Sequence, residues 1–215
     1  MNGVVMWLQP AEFSAAHEAY FEALGRALGL TQNFEQSCKF VFGIWDLGKA
    51  REEGKIQTRD ERRAYSEKLM GRMLGALVKS RRGDIDITDA DKAAFEAARE
   101  ARNYLAHEAA VVGLFIPPKY ARRKLREIMR GSLDTAAIEK ERTEMFHAHI
   151  RDGVPKFVEA IRAIAEADNI VSGWSYMIQE KDDRLPFVAE RYVQSVVAWV
   201  LEPLRSAGVI HRERP

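Results

Sequence analysis

The chain has 215 residues, 47% hydrophobic and 30% charged, with 33 Lys and Arg against 32 Asp and Glu. That length suits one folded domain with its own core, and that balance excludes a disordered polyelectrolyte. A net charge of +1 gives no global field to attract nucleic acid or a membrane surface, so any electrostatic partner must be read from local patches.

Ala, Leu, Glu, Lys and Arg dominate and long alternating Val/Ile/Thr runs are missing, which points to an all-α fold. The periodicity predicts a first helix over about 11–28 and a second over about 34–53, with Asn33 as N-cap and Gly54 as the stop. A third helix is expected over about 60–79, then a polar connection over 81–87. Thr88 opens a fourth helix, with Asp91 three places on in a capping-box arrangement, running to about 113. Pro117 and Pro118 close that segment. A fifth helix is expected over about 119–129 and a long sixth over about 134–167, kinked or divided near Gly153 and Pro155. The stretch 169–185 reads as irregular, and Pro186 opens a last helix reaching about 205. The simplest architecture is one helical bundle with added C-terminal helices.

Several features narrow the chemistry. Cys38 is the single cysteine, sits among apolar residues, and reads as a buried thiol in a reducing compartment. The stretch 1–10 lacks a basic region, so no signal peptide is expected. The longest apolar run, 193–204, is broken by Gln194, Ser195, Glu202 and Pro203, so no membrane partner is expected and the cytoplasm is the expected location. Gly43, Gly48, Gly71 and Gly75 fall inside helical patterns, where close helix packing explains them better than a phosphate loop. His147 and His149 are two apart and point to different sides of a helix, so neither a metal site nor a cofactor is expected. Trp174 and Tyr176 are expected to anchor the irregular segment to the core. The stripe Phe187, Tyr192, Val196, Val197, Val200 and Leu204 fits either a dimer seam or core.

The sharpest signal is Arg102-Asn103-Tyr104-Leu105-Ala106-His107. On a regular helix Phe95, Ala98, Ala101 and Leu105 form an apolar stripe, while Glu96, Glu100, Asn103 and His107 share a polar face. Arg102 lies five residues before His107, roughly 140° away around a regular helix, and only its long stem could bring the two heads together. Histidine exchanges protons near neutral pH, and arginine offers a donor fork that fits a phosphate. Asparagine can orient either group. The set amounts to a phosphodiester-cleaving kit without metal, short of one acid, which a second copy in a symmetric dimer would supply.

These residues resemble the signature of HEPN domains, an arginine followed by a polar residue and, after a short gap, a histidine. The stretch 68–77 resembles the helix that precedes this motif in some members, and the likeness covers about 13–130, leaving 131–215 as an unassigned helical extension. The resemblance implies a HEPN-like bundle and a metal-independent endoribonuclease acting as a homodimer on RNA. It places Arg102, Asn103 and His107 in a composite cleft at the dimer interface; Glu96 and Glu100, which share the polar helix face, are expected from their spacing to tune the histidine. It also implies a toxin or antiviral-defence setting and an antitoxin or regulatory protein as partner. Some members have lost catalysis and serve as modules that bind protein, nucleotide or RNA. Some toxin members carry a modifiable tyrosine two residues after the histidine, where this chain has Ala109.

Beyond the motif, Lys119, Arg122, Arg123, Arg126 and Arg130 stand close together against one acid, Glu127. They read either as a track for an RNA backbone, making binding salt-dependent, or as a solvated face paired with Glu139, Glu141 and Glu144.

Overall fold

In the computed structural model the described residues are 15–70, 87–109, 135–180 and 189–210. All regular structure among them is helical: α1 (Ala15–Glu52), α2 (Arg59–Met70), α3 (Asp89–Asn103), a π-helical turn (Tyr104–Ala109), α4 (Thr135–Glu180) and α5 (Ala189–Ser206). The expected fifth helix and the basic residues from Lys119 to Arg130 lie outside the described residues, as do Gly71, Gly75 and Phe187.

Two expectations about helix boundaries are corrected. The chain does not break over 29–33; α1 is a single helix of 38 residues. Gly29, Thr31 and Asn33 look like punctuation, but Leu30, Thr31 and Phe34 are buried and continue the core stripe. Thr31 satisfies its hydroxyl inside the helix by donating to the Ala27 carbonyl at 2.9 Å. Likewise 169–180 is not irregular, because α4 runs for 46 residues through Pro155 to Glu180. Val171 and Trp174 are buried, so packing overrides the weak local signal. Trp174 does anchor to the core, as expected, but from a helix. Gly43 and Gly48 do not mark close packing: a Cβ at either position would meet nothing within 4 Å.

Other signals hold. Thr88 and Asp91 form the capping box at the start of α3, each side chain bonding the other's backbone N–H at 3.1 Å. Gly54 stops α1 with φ of 72°, a left-handed conformation that glycine adopts without a Cβ clash. The Lys55 N–H then reaches back to the Ala50 carbonyl at 2.8 Å. Gly208, with φ of 69°, ends α5 in the same way. Cys38 is fully buried, and Val197, Val200 and Leu204 are core residues. No helix among the described residues is long and apolar enough to cross a membrane.

Contacts fix the topology. His17 stacks on Phe146 and Phe42 packs on Trp174, so contacts advance together along α1 and α4 and these helices run parallel. Phe95 of α3 meets Phe34, Phe42 and Trp174 at 6.0, 6.4 and 5.4 Å between ring centroids. Farther along α3, Arg102 reaches back to Glu35, so α3 runs antiparallel to α1. α5 is antiparallel as well: Tyr192 bonds Asp168 of α4, while Trp199 lies against Arg26 of α1. α4 touches α1, α3 and α5 and is the central helix of an up-down-up-down bundle, with α2 against α1.

Pro203 shows how sequence sets a tertiary contact. Proline has no N–H, so inside α5 it leaves the Trp199 carbonyl without its helical donor. Arg26 supplies one from α1: Nη1 donates to that carbonyl at 2.6 Å, and the guanidinium sits over the Trp199 ring. Glu22 holds the same arginine at 2.7 Å. Arg26→Ala is expected to destabilise the protein by about 1–2 kcal/mol in urea unfolding. Less than half that loss is expected in a Pro203→Ala background, where the helix bonds its own carbonyl. Equal losses in both backgrounds would show that the carbonyl is irrelevant.

Asp168 lies in the partly buried seam of α4 and α5, where it accepts the Tyr192 hydroxyl at 2.6 Å. Desolvation raises its pKa above the usual carboxylate value, and the Tyr192 bond offsets only part of that. A raised carboxyl pKa adds stability below its unfolded value, and that gain is lost as pH rises through the folded value. Lowering pH from neutral through the carboxylate range is therefore expected to narrow any stability advantage of Asp168→Asn over wild type, or to widen its deficit. Parallel pH dependences in urea titrations would contradict this.

Candidate functional site

The motif straddles the change from α to π geometry. Phe95, Ala98, Ala101, Tyr104, Leu105 and Ala109 are buried and supply the apolar side. Arg102 and Asn103 are half-buried, and Ala106, His107 and Glu108 are exposed. A π turn bonds i to i+5 and advances through a smaller angle per residue than an α-helix. Starting the turn at Tyr104 therefore swings His107 back toward the side carrying Arg102, narrowing the gap expected of a regular helix.

Two neighbours hold the turn. From α1, the Tyr20 hydroxyl donates to the Ala109 carbonyl at 2.8 Å. From α4, Lys156 places its ammonium 4.3 Å from the centroid of the Tyr104 ring and bonds Glu108 at 2.6 Å. Burial pushes both phenols above the usual tyrosine range, so at neutral pH both keep their protons and do not serve as bases.

Arg102 is engaged from a distant part of the chain. Its Nε donates to Glu35 Oε1 at 3.0 Å and its Nη1 to Asn103 Oδ1 at 3.3 Å. The arginine side chain is 41% exposed and that of Glu35 26% exposed, so solvent screens the pair and its stabilising worth is small. His107 is exposed and makes no hydrogen bond or ion pair among the described residues.

The two acids on the polar face sit apart from the histidine. Glu96 pairs with Arg99, and Glu100 is exposed one turn before Asn103. Among the described residues the structure thus groups Arg102, Asn103 and Glu35 and gives His107, on the next turn, no partner. Among the described residues there is no cluster that would hold a metal ion. His147 and His149 lie on α4 beside Phe146, which stacks on His17.

Glu35 and Tyr20 escape a motif-based reading because each is 67 or more positions from its partner. One signal does exist. Phe42 and Glu35 are seven apart on α1, and Phe95 and Arg102 are seven apart on α3. Two antiparallel helices that join Phe42 to Phe95 bring Glu35 to Arg102 two turns away.

Compared with known proteins, the chain matches no family model, no curated protein and no solved structure.

Tyr20→Phe removes the donor from the Ala109 carbonyl while keeping the ring in place. The expected loss is about 1–3 kcal/mol in urea unfolding, with faster amide exchange in the turn than in α5. Unchanged stability together with unchanged exchange would show that the turn does not need this bond.

Proposed function

We propose that the chain is a metal-independent endoribonuclease of the HEPN type, cytoplasmic and active as a homodimer on RNA. The observation that carries this reading is the π turn that begins after Arg102 and Asn103 and contains His107. π turns are rare and concentrate at functional sites. This one turns an exposed imidazole toward the side of the helix that carries an arginine whose Nη2 is without a partner among the described residues.

In the proposed reaction, His107 takes the proton of a ribose 2′-hydroxyl and the oxygen attacks the adjacent phosphorus. The bond to the 5′-oxygen breaks, leaving a 2′,3′-cyclic phosphate on one product. The departing 5′-oxygen receives a proton from an acid, the protonated histidine of the second copy. Arg102 binds the non-bridging oxygens and stabilises the charge that builds on them, with Asn103 steadying its guanidinium. Imidazole and guanidinium supply proton transfer and charge stabilisation, so the scheme needs neither metal nor cofactor. Glu96 and Glu100 act on His107 only through the field of their charges, and Lys119, Arg122, Arg123, Arg126 and Arg130 carry the RNA backbone. A toxin or antiviral role, with an antitoxin or regulatory protein as partner, follows from the family resemblance alone.

A second reading has its own support. Arg102 already has an acidic partner in its own chain, which suits a non-catalytic HEPN-like module that binds protein, nucleotide or RNA.

The deciding experiment is cleavage of a mixed RNA pool, with EDTA present, by wild type, His107→Ala and Arg102→Ala, each checked for folding. Wild type is expected to leave 2′,3′-cyclic phosphate ends, and each variant to lose about 100-fold or more in rate. Saturable RNA binding without cleavage by wild type would favour the module. Equal cleavage by all three would place the activity elsewhere.

A further inference from the structure

We infer that Glu35 is a positioning residue that holds the Arg102 guanidinium for end-on capture of an RNA phosphodiester. This deepens the proposed nuclease reading and rests on it.

The argument starts from which donors are used. A guanidinium carries five N–H groups in one plane. Glu35 takes the one on Nε at 3.0 Å, and Asn103 takes one on Nη1 at 3.3 Å. Among the described residues this leaves both N–H groups of Nη2 and one of Nη1 without a partner. Nη2 lies at the far end of the fork with one N–H on the end edge and one on the edge it shares with Nε, so it can meet a non-bridging oxygen of a phosphodiester. Had Glu35 met the terminal nitrogens, it would have occupied the edge that a phosphate needs. Bonding Nε fixes the plane and, among the described residues, leaves Nη2 for the phosphate.

The energetics agree. An ion pair this exposed adds little to stability, so the fold has little need of it. What it can do is remove rotamer freedom from a long side chain before substrate arrives. Glu35 can do so because Phe34 beside it is buried against Phe95, which fixes the helix turn from which its carboxylate extends.

The test reads the arginine directly. In the full chain, the Arg102 Nε–H signal is followed by 15N NMR, assigned by its loss in Arg102→Lys, in wild type, Glu35→Gln and Glu35→Ala. A short 2′-fluoro RNA strand, which cannot be cleaved, is then titrated in. Solvent exchange of the Nε–H is expected to be slow in wild type and Glu35→Gln and fast in Glu35→Ala. RNA affinity is expected to fall by about fivefold or more in Glu35→Ala, and kcat on cleavable RNA by roughly ten- to a hundredfold, with Glu35→Gln recovering most of both. Unchanged exchange in Glu35→Ala overturns the inference. So does tighter RNA binding or faster cleavage by Glu35→Ala, which would make Glu35 a restraint that RNA must displace; either result leaves the nuclease reading intact. An Arg102 that ignores the RNA in every protein overturns both.

Discussion

Phe95 sits where three helices meet, and the placement of the motif depends on it. Its ring packs against Phe34 and Phe42 of α1 and against Trp174 of α4. Aromatic contacts of this kind add up to several kcal/mol through buried area, with about 0.5–1.5 kcal/mol more from ring geometry. A one-residue slip of α3 would rotate this ring by roughly 100° and lose all three contacts. The register of α3 is therefore set by apolar packing near its start. Everything two turns later, Arg102 included, inherits its position.

That hierarchy explains why a weak polar pair can be well placed. The Glu35–Arg102 pair is too exposed to fix the helix, and it has no need to. Phe42 and Phe95 bring the two backbones to a set distance and register, and the same seven-residue step on each helix carries that register to Glu35 and Arg102. Beyond Arg102 the helix changes its winding. A second anchor, the Tyr20 hydroxyl on the Ala109 carbonyl, ties down the far side of the π turn. The motif is held between an aromatic anchor before it and a hydrogen-bonded anchor after it.

The helical class, the capping box at Thr88, the glycine stop at Gly54 and the buried Cys38 were all legible in the sequence, because each is a local rule with a local cause. The continuity of α1 through 29–33 and of α4 through 169–180 was not. There local propensity is nearly neutral, and the decision falls to Leu30, Phe34, Val171 and Trp174 packing against residues far away in sequence. The apolar stripe of α3 could be read from its spacing, whereas the π turn could not, since no residue in Tyr104–Ala109 demands it. The residues that contact the turn, Tyr20 and Lys156, come from distant parts of the chain. Arg102, Asn103 and His107 stood out as chemistry, but their relative placement depended on that turn, and Glu35 became visible only once the register was known.

What the fold asks of this helix and what it leaves free fall on different residues. Packing constrains Phe95, Ala98, Ala101, Tyr104, Leu105 and Ala109, whose side chains are buried. A π turn has poorer hydrogen-bond geometry than the α-helix it interrupts, so it persists where neighbours over-determine it. Tyr20 and Lys156 do that from two sides, and both act on the buried or flanking residues, not on Arg102, Asn103 or His107. Among the described residues, the three polar members contribute little to holding the turn. The turn, in contrast, alters how those three stand relative to one another. Structure thus flows from the packed residues to the polar ones, and a change at His107 should disturb its chemistry while leaving the scaffold beneath it in place.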